Sequence, residues 1–143
     1  MANKRSSGRP KGKDSTLVRE TYINAARSHF TEHGYSAASL STIAKEAGYT
    51  PTALRHYFPD KTQLYSDVFA TTSNEVYPQI VQHLYSPTMA EAIEGSMLRM
   101  FQISKDLPNH TDFLSRVPVE LRKHPELKER VQVRENFSEF FYS

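Results

Sequence analysis

Two histidines of this 143-residue chain have the spacing of a metal-binding pair. His29 and His33 lie four positions apart, so a helix would present both imidazoles on one face. In the zinc-binding pattern H-E-x-x-H a glutamate follows the first histidine, whereas Phe30 stands there in this chain. Packed or surface histidines are therefore the favoured interpretation, and we predict no metal site.

A second group of polar side chains, between positions 50 and 56, has the chemistry needed to bind nucleic acid. Hydroxyl, imidazole and guanidinium groups donate hydrogen bonds to base edges and to phosphates. The residues are Thr50, Thr52, Arg55 and His56. The sequence contains no glycine-rich phosphate loop, nucleophile elbow, acidic metal cluster or cysteine. We predict a binding protein rather than an enzyme, and no cofactor.

Such polar residues need a short, rigid element that enters a DNA groove, and residues 39–58 have the pattern of a helix-turn-helix. Ser39 can cap a support helix, and Gly48 suits the tight turn after it. Thr50 and Pro51 suit the start of the second helix. The predicted inward residues are Ile43, Ala44, Ala47, Leu54 and Phe58, and the predicted outward residues are Thr50, Pro51, Thr52, Arg55 and His56. An ordinary helical pair joined by a glycine turn has the same pattern.

The rest of the chain is also predicted to be helical, because apolar residues recur at three- and four-residue steps and period-two alternation is absent. A helix over about residues 15–33 would end at Gly34. Another would begin at Asp60, with Gln63 completing a capping box, and would run to Pro78.

Three further helices are predicted in the last part of the chain. Thr88 and Glu91 form a capping-box pattern for a helix that closes before Pro108. A short helix is expected over residues 112 to about 117, where Pro118 would kink or end it, and the last helix would begin at Pro125. The predicted fold class is all-α.

Positive charge is concentrated in the N-terminal part, which carries +5 over residues 1–61 against −3 over residues 62–143. Residues 1–14 are predicted to form a disordered basic arm. Within it Arg9, between Gly8 and Pro10 and followed by Lys11, resembles the core of AT-hook peptides, which lie in minor grooves. A solvated tail that binds phosphates without sequence preference is the alternative. No apolar segment has the length of a membrane span or signal, so a cytoplasmic protein is expected.

Residues 22–69 resemble the DNA-binding domain of the tetracycline-repressor (TetR) family of bacterial regulators. The sequence there is YINAARSHFTEHGYSAASLSTIAKEAGYTPTALRHYFPDKTQLYSDVF. The matching landmarks are Ala25, Ala26, Phe30, Gly34, Tyr35, Ser39, Ile43, Ala44, Ala47, Gly48, Leu54, Tyr57, Phe58, Lys61 and Leu64. The resemblance implies an N-terminal three-helix DNA-binding domain over residues 15–61, followed by a helical ligand-binding and dimerisation domain from residue 62.

The resemblance also implies roles for individual residues. Thr50, Pro51, Thr52 and His56 fall on family positions that face bases or adjacent phosphates. Tyr57 and Lys61 fall on positions that contact the DNA backbone, and Ser39, Ser41 and Thr42 at the support helix are further candidates.

Arg55 is a departure, because the family usually has an aromatic residue at this position. Its guanidinium could bind a phosphate or read a guanine bidentately. We favour the phosphate, because the position normally contacts the backbone.

The family's effector domain lies in the second half, and apolar residues there are candidates to line a ligand pocket. They are Met97, Met100, Phe101, Phe113 and Phe137. The resemblance implies a repressor that an unidentified small molecule releases from a palindromic operator. The family usually has two further long helices that form its dimer interface, so we expect a C-terminally truncated chain for which a symmetric dimer is not predicted.

The main alternative is a helical interaction module whose basic face binds a protein or an anionic lipid.

Overall fold

The computed structural model describes residues 11–131, with side chains from residue 14 onwards. This part of the chain contains helices, one 3-10 turn at Gln82–Tyr85 and no strand, so the all-α prediction is confirmed. The helices are α1 (Lys11–Ala37), α2 (Leu40–Ala47), α3 (Pro51–Tyr57), α4 (Lys61–Val81), α5 (Met89–Asp106), α6 (Pro108–Lys123) and α7 (Pro125–Arg130). No helix of the described residues is long and apolar enough to cross a membrane.

Helix α1 begins at Lys11, earlier than the predicted start near residue 15. Asp14 lies in its first turn, where a carboxylate interacts favourably with the helix dipole. Gly34 interrupts the helix with a φ of 79°, a conformation that glycine adopts without steric cost. One further helical turn follows before α2, so the predicted stop at Gly34 is a break in direction within α1.

Helices α2 and α3 begin at the predicted caps. The Ser39 side chain accepts a hydrogen bond from the Thr42 amide, and Thr50 accepts one from Ala53. Gly48 ends α2 in the left-handed conformation, and its amide donates to Lys45.

Helix α4 differs from its prediction at both ends. Asp60 caps it, with Oδ1 2.7 Å from the Gln63 amide, but the Gln63 side chain donates to Asp67 instead of completing a capping box. The helix also continues past Pro78 to Val81. Proline loses its amide hydrogen bond and crowds the carbonyl four residues earlier, but Val76 just before it is buried and α4 packs against α5, which offsets this cost.

The capping box of Thr88 and Glu91 at the start of α5 is confirmed. The predicted short helix over residues 112–117 is wrong, because α6 runs over Pro108–Lys123 and contains Pro118. Phe113 and Val117 are buried, so packing outweighs the hydrogen bond that Pro118 cannot form.

One apolar core joins all helices except α5. Its largest fully buried side chains are Tyr22, Tyr65, Phe58 and Phe113. Helix α4 joins two parts of this core, because the Tyr65 ring lies 5.0 Å from that of Phe30 in α1 and 5.3 Å from that of Phe113 in α6. The predicted boundary between residues 61 and 62 therefore falls in the first turn of a helix shared by both parts, and the division into domains stays a prediction.

Candidate nucleic-acid interface

The two helices of the helix-turn-helix are fixed by a buried apolar contact. Ile43 and Ala44 of α2 and Leu54 of α3 are fully buried, and Phe58 closes the same cluster. The small side chain of Ala44 allows the helices to approach closely. The Tyr49 amide donates to the Ala44 carbonyl at 2.9 Å and closes the turn after α2. The reading helix α3 is thus held at a fixed angle to its support.

The outer face of α3 is polar and open to solvent. Thr52, Arg55 and His56 are exposed, whereas Pro51 is half-buried. The Thr50 hydroxyl accepts from Ala53, which leaves its own O–H free to donate to a phosphate oxygen. Arg55 makes no ion pair with any described residue. This face can therefore donate several hydrogen bonds to a polyanion.

A second row of hydroxyls begins α2. Ser39, Ser41 and Thr42 are all exposed. Ser39 Oγ caps the helix and lies 2.8 Å from Thr42 Oγ1, so these two hydroxyls already form a hydrogen-bonded pair. The Ser41 hydroxyl is exposed at the start of α2, and a helix N-terminus favours the binding of phosphate.

Two tyrosines flank the start and the end of α3. Tyr57 is half-buried, with its ring 5.5 Å from that of Tyr22. Tyr49 lies 5.1 Å from Tyr22 and leaves 40% of its surface exposed beside Thr50. The sequence analysis did not select Tyr49, although an aromatic residue between Gly48 and the cap Thr50 was a visible signal. Burial among these rings raises the pKa of Tyr22.

Lys61 is engaged inside the protein. Its Nζ donates to the carbonyls of Tyr35 at 2.8 Å, Ala38 at 3.2 Å and Ser36 at 3.4 Å, and it lies 4.4 Å from the Tyr35 ring centroid. An ammonium group has three N–H donors, so these carbonyls account for all of them. The phosphate contact implied by the resemblance would require Lys61 to leave them, and that role stays a prediction.

The remaining predicted contacts cannot be placed on this surface. Residue Arg9 and the side chain of Lys11 lie outside the part of the chain that the structure describes.

The histidine pair is packed rather than free. His29 Nδ1 lies 3.2 Å from Glu46 Oε1, and the His29 ring lies 4.6 Å from that of His33. No group of three potential metal ligands occurs among residues 11–131.

The predicted pocket residues separate into three sets. Met97, Met100 and Phe101 line an open cleft of about 600 Å³ with residues of α4 and α6. Phe113 lies elsewhere, fully buried 5.3 Å from Tyr65, because it faces the core from the opposite side of α6. Phe137 lies outside the described residues. Helix α5 and the turn before it also expose other large apolar side chains, and we call them, with the three cleft residues, the bare flank of α5: Leu84, Tyr85, Met89, Ile93 and Leu98.

Comparison with known proteins identifies the helix-turn-helix region. Residues 23–68 match the model of the bacterial regulatory proteins of the tetR family. The chain is therefore similar to the tetR-family regulatory proteins over its helix-turn-helix region. Over 55 residues the chain is 38% identical to the transcriptional regulator AcuR of Cereibacter sphaeroides, a match that covers 38% of this chain and 25% of AcuR.

Solved structures share the fold beyond the matched region. A TetR family transcription regulator from Marinobacter aquaeolei VT8 has a TM-score of 0.67 at 20% identity, covering 89% of this chain and 71% of that one. The fatty acid degradation regulator FadR from Bacillus halodurans has a TM-score of 0.63 at 21% identity, covering 86% and 65%. The chain thus spans about a quarter of AcuR and about two thirds of these structures.

Proposed function

We propose that this chain is a tetR-family regulator that binds double-stranded DNA with sequence specificity and represses transcription. The observation that carries the proposal is the polar outer face of α3, with Thr52, Arg55 and His56 exposed on a helix anchored by the buried Leu54. A short helix of this kind fits a major groove, and its N-terminal residues reach the base edges.

Within this proposal the two helices have different tasks. Thr50, Pro51, Thr52 and His56 reach bases or the adjoining phosphates, and Arg55 and Tyr57 contact phosphates. The hydroxyls of Ser39, Ser41 and Thr42 contact the backbone at the start of α2. The basic residues Arg9 and Lys11 add affinity from the arm, in the minor groove or along the phosphates.

Selection from a random DNA pool tests this function. The purified chain is incubated with random duplexes, bound DNA is recovered and sequenced, and the enriched duplex is used in gel shifts. We expect binding to survive a large excess of random DNA. Equal competition by random DNA would contradict specific recognition and favour a basic module for another anionic partner. A single enriched half-site would indicate binding by one copy, and a palindrome would indicate two.

We further propose that a small apolar molecule binds the cleft between α4, α5 and α6 and releases the DNA. Support comes from Met100 and Phe101 beside Ile80 and Leu114, since flexible apolar side chains suit such ligands. Asp112 also lines the cleft, so a neutral probe is preferable to a carboxylate.

Octanol serves as the neutral probe, and amide shifts at Leu114 and Ser115 report on occupancy of the cleft. Saturable shifts that M100E abolishes, and that M89E on the exposed flank of the same helix preserves, are expected. Equal responses of the two variants would locate binding outside the cleft.

A further inference from the structure

The turn that leads into α2, residues 34–38, is held by side chains from two other helices. Because Gly34 has a positive φ, the Tyr35 amide leaves the hydrogen-bond pattern of α1. Glu120 of α6 accepts this amide hydrogen bond, with 3.3 Å between Tyr35 N and Glu120 Oε2. A residue 85 positions away in the sequence therefore supplies the partner for a helix-end amide.

The opposite side of the same turn is held by α4. The Lys61 ammonium group donates hydrogen bonds to the carbonyls of Tyr35, Ser36 and Ala38. The hydroxyls of Tyr35 and Thr62 also form a hydrogen bond of 2.9 Å. The turn thus donates to an anionic group of α6 and accepts from a cationic group of α4. Hydrogen bonds with a charged partner are stronger than those between neutral groups.

The surroundings of Glu120 favour a persistent contact. Only 16% of its side-chain surface is exposed, and His124 Nε2 lies 3.6 Å from Oε2. His124 in turn lies 3.2 Å from Ser36 Oγ and packs its ring 4.7 Å from that of Tyr35. Glu126 Oε1 also lies 3.5 Å from His124 Nδ1. The end of α6 therefore contacts the turn through Glu120 and His124 together.

The position of the turn determines the position of the reading helix. Ala38 is buried and Ser39 directly caps α2, so no flexible segment separates the turn from the support helix. Helix α3 is fixed to α2 by the buried contact of Ile43, Ala44 and Leu54. A shift of the turn would consequently move α3 as a unit.

We propose that Glu120 is a positioning residue for DNA recognition, which holds the 34–38 turn and thereby sets the pose of α3 relative to α6. The proposal deepens the function proposed above and rests on it for its DNA-binding part. Base readout needs accurate placement of donors, whereas nonspecific binding depends on charge alone. Loss of Glu120 should therefore reduce specific affinity more than nonspecific affinity.

Three variants test the proposal. E120A removes the acceptor, E120Q keeps an acceptor oxygen without the charge, and E129A removes an equal charge from an exposed position on α7. Each is measured by ¹⁵N–¹H amide spectra, by urea unfolding, and by gel shift against the enriched duplex and against random duplex at one salt concentration.

We expect E120A to shift the amides of Tyr35 and of residues 50–57, and to weaken binding to the enriched duplex about tenfold. Its affinity for random duplex should stay within about twofold, since no DNA-contacting charge is lost. E120Q should recover most of the specific affinity, and E129A should match the wild type. If E120A does not fold, E120Q replaces it as the test. We then expect E120Q to shift the same amides and to lose affinity for the enriched duplex, by a smaller factor than expected for E120A.

Amide changes confined to α6, with specific affinity within twofold of wild type, would overturn the positioning role. Equal losses on both duplexes would also overturn it, because they indicate a general electrostatic or folding effect. If the wild type enriches no sequence, the proposed function fails, whereas the shifts at residues 50–57 still decide whether Glu120 sets the pose of α3.

Discussion

Arg55 is the residue that most distinguishes this reading helix from the family pattern. Its side chain is exposed on α3 and forms no ion pair with the described residues, so the guanidinium is free to reach DNA. We expect R55A to weaken binding to all duplexes by a similar factor and to lower the salt slope by about one, as loss of a phosphate contact does.

The matched control for R55A is R116A, which removes the same side chain from an exposed position on α6. It should leave both affinity and salt slope near wild type. A loss of preference at one G·C pair in R55A, with little change elsewhere, would instead indicate a bidentate contact with guanine.

Substitution of Lys61 tests whether its ammonium group stabilises the fold or contacts DNA. Because its ammonium binds three carbonyls near the end of α1, we expect K61M to lower the free energy of unfolding by about 1–3 kcal/mol in urea. K45M removes an exposed lysine from α2 and should change stability by less than about 0.5 kcal/mol. Unchanged stability of K61M together with a reduced salt slope would favour the phosphate role.

Tyr22 carries a buried hydroxyl that finds no hydrogen-bond partner among the described residues. The ring is fully buried against Tyr49, Tyr57 and Phe58. Replacing an unsatisfied polar group by an apolar one of similar shape is neutral or stabilising. We therefore expect Y22F to raise the free energy of unfolding, measured in urea, by up to about 1 kcal/mol. Y85F, at an exposed site, should not move it. A clear loss of stability in Y22F would mean that the hydroxyl has a partner.

At the scale of the elements, Gly48 sets the angle between α2 and α3. Its φ is 84°, and an added Cβ would meet no atom within 4 Å, so substitution costs only backbone strain. We expect G48A to lose about 1–2 kcal/mol of stability, and G48N less, because asparagine tolerates the left-handed region. Equal losses in the two variants, measured by urea unfolding, would contradict this explanation.

The starts of α2, α3 and α5, which have side-chain caps, were predictable from sequence, and the effects of internal prolines were not. Ser39, Thr50 and Thr88 act as caps because a side-chain oxygen and an amide three residues on are local partners. Pro78 and Pro118 lie inside helices because burial of Val76 and Val117 outweighs one missing hydrogen bond. That burial depends on distant residues and leaves no local signal.

Because α6 continues through Pro118, one helix contacts both the apolar cleft and the 34–38 turn. Leu114 and Ser115 line the apolar cleft, and Glu120, less than two turns later, holds the 34–38 turn. An unbroken helix transmits displacement along its axis better than two helices joined at a proline would. The predicted break at Pro118 would have separated these contacts.

At the scale of the whole molecule, the excess of positive charge lies in the N-terminal part of the chain, which also contains the exposed polar face of α3. Because α1 begins at Lys11, deletion of residues 1–10 removes three basic residues and spares the helix. We expect the salt slope of DNA binding to fall by about one to three. An unchanged slope would show that the arm contacts no phosphate, and a loss confined to A·T-rich flanks would favour the minor-groove mode.

The reading surface was accessible to sequence reasoning because it lies within one short segment. The outward residues of α3 follow from its helical period and its caps. Lys61 and Glu120 are far in sequence from the 34–38 turn that they contact, and only the packing of α4 and α6 against α1 brings them to it. Sequence reasoning grouped Phe113 with the cleft residues, although it lies in the core, because composition cannot tell which face of α6 is interior.

The bare flank of α5 has a practical consequence for solution work. Met89, Met97 and Phe101 each expose more than half of their surface in the folded chain. Dyes such as anilinonaphthalene sulfonate bind exposed apolar surface, so they should fluoresce with the native protein and mask its melting transition. The sequence has no tryptophan and eight tyrosines, so tyrosine emission or circular dichroism is the suitable reporter of unfolding. Bright dye fluorescence from this protein at low temperature would be a property of its native surface.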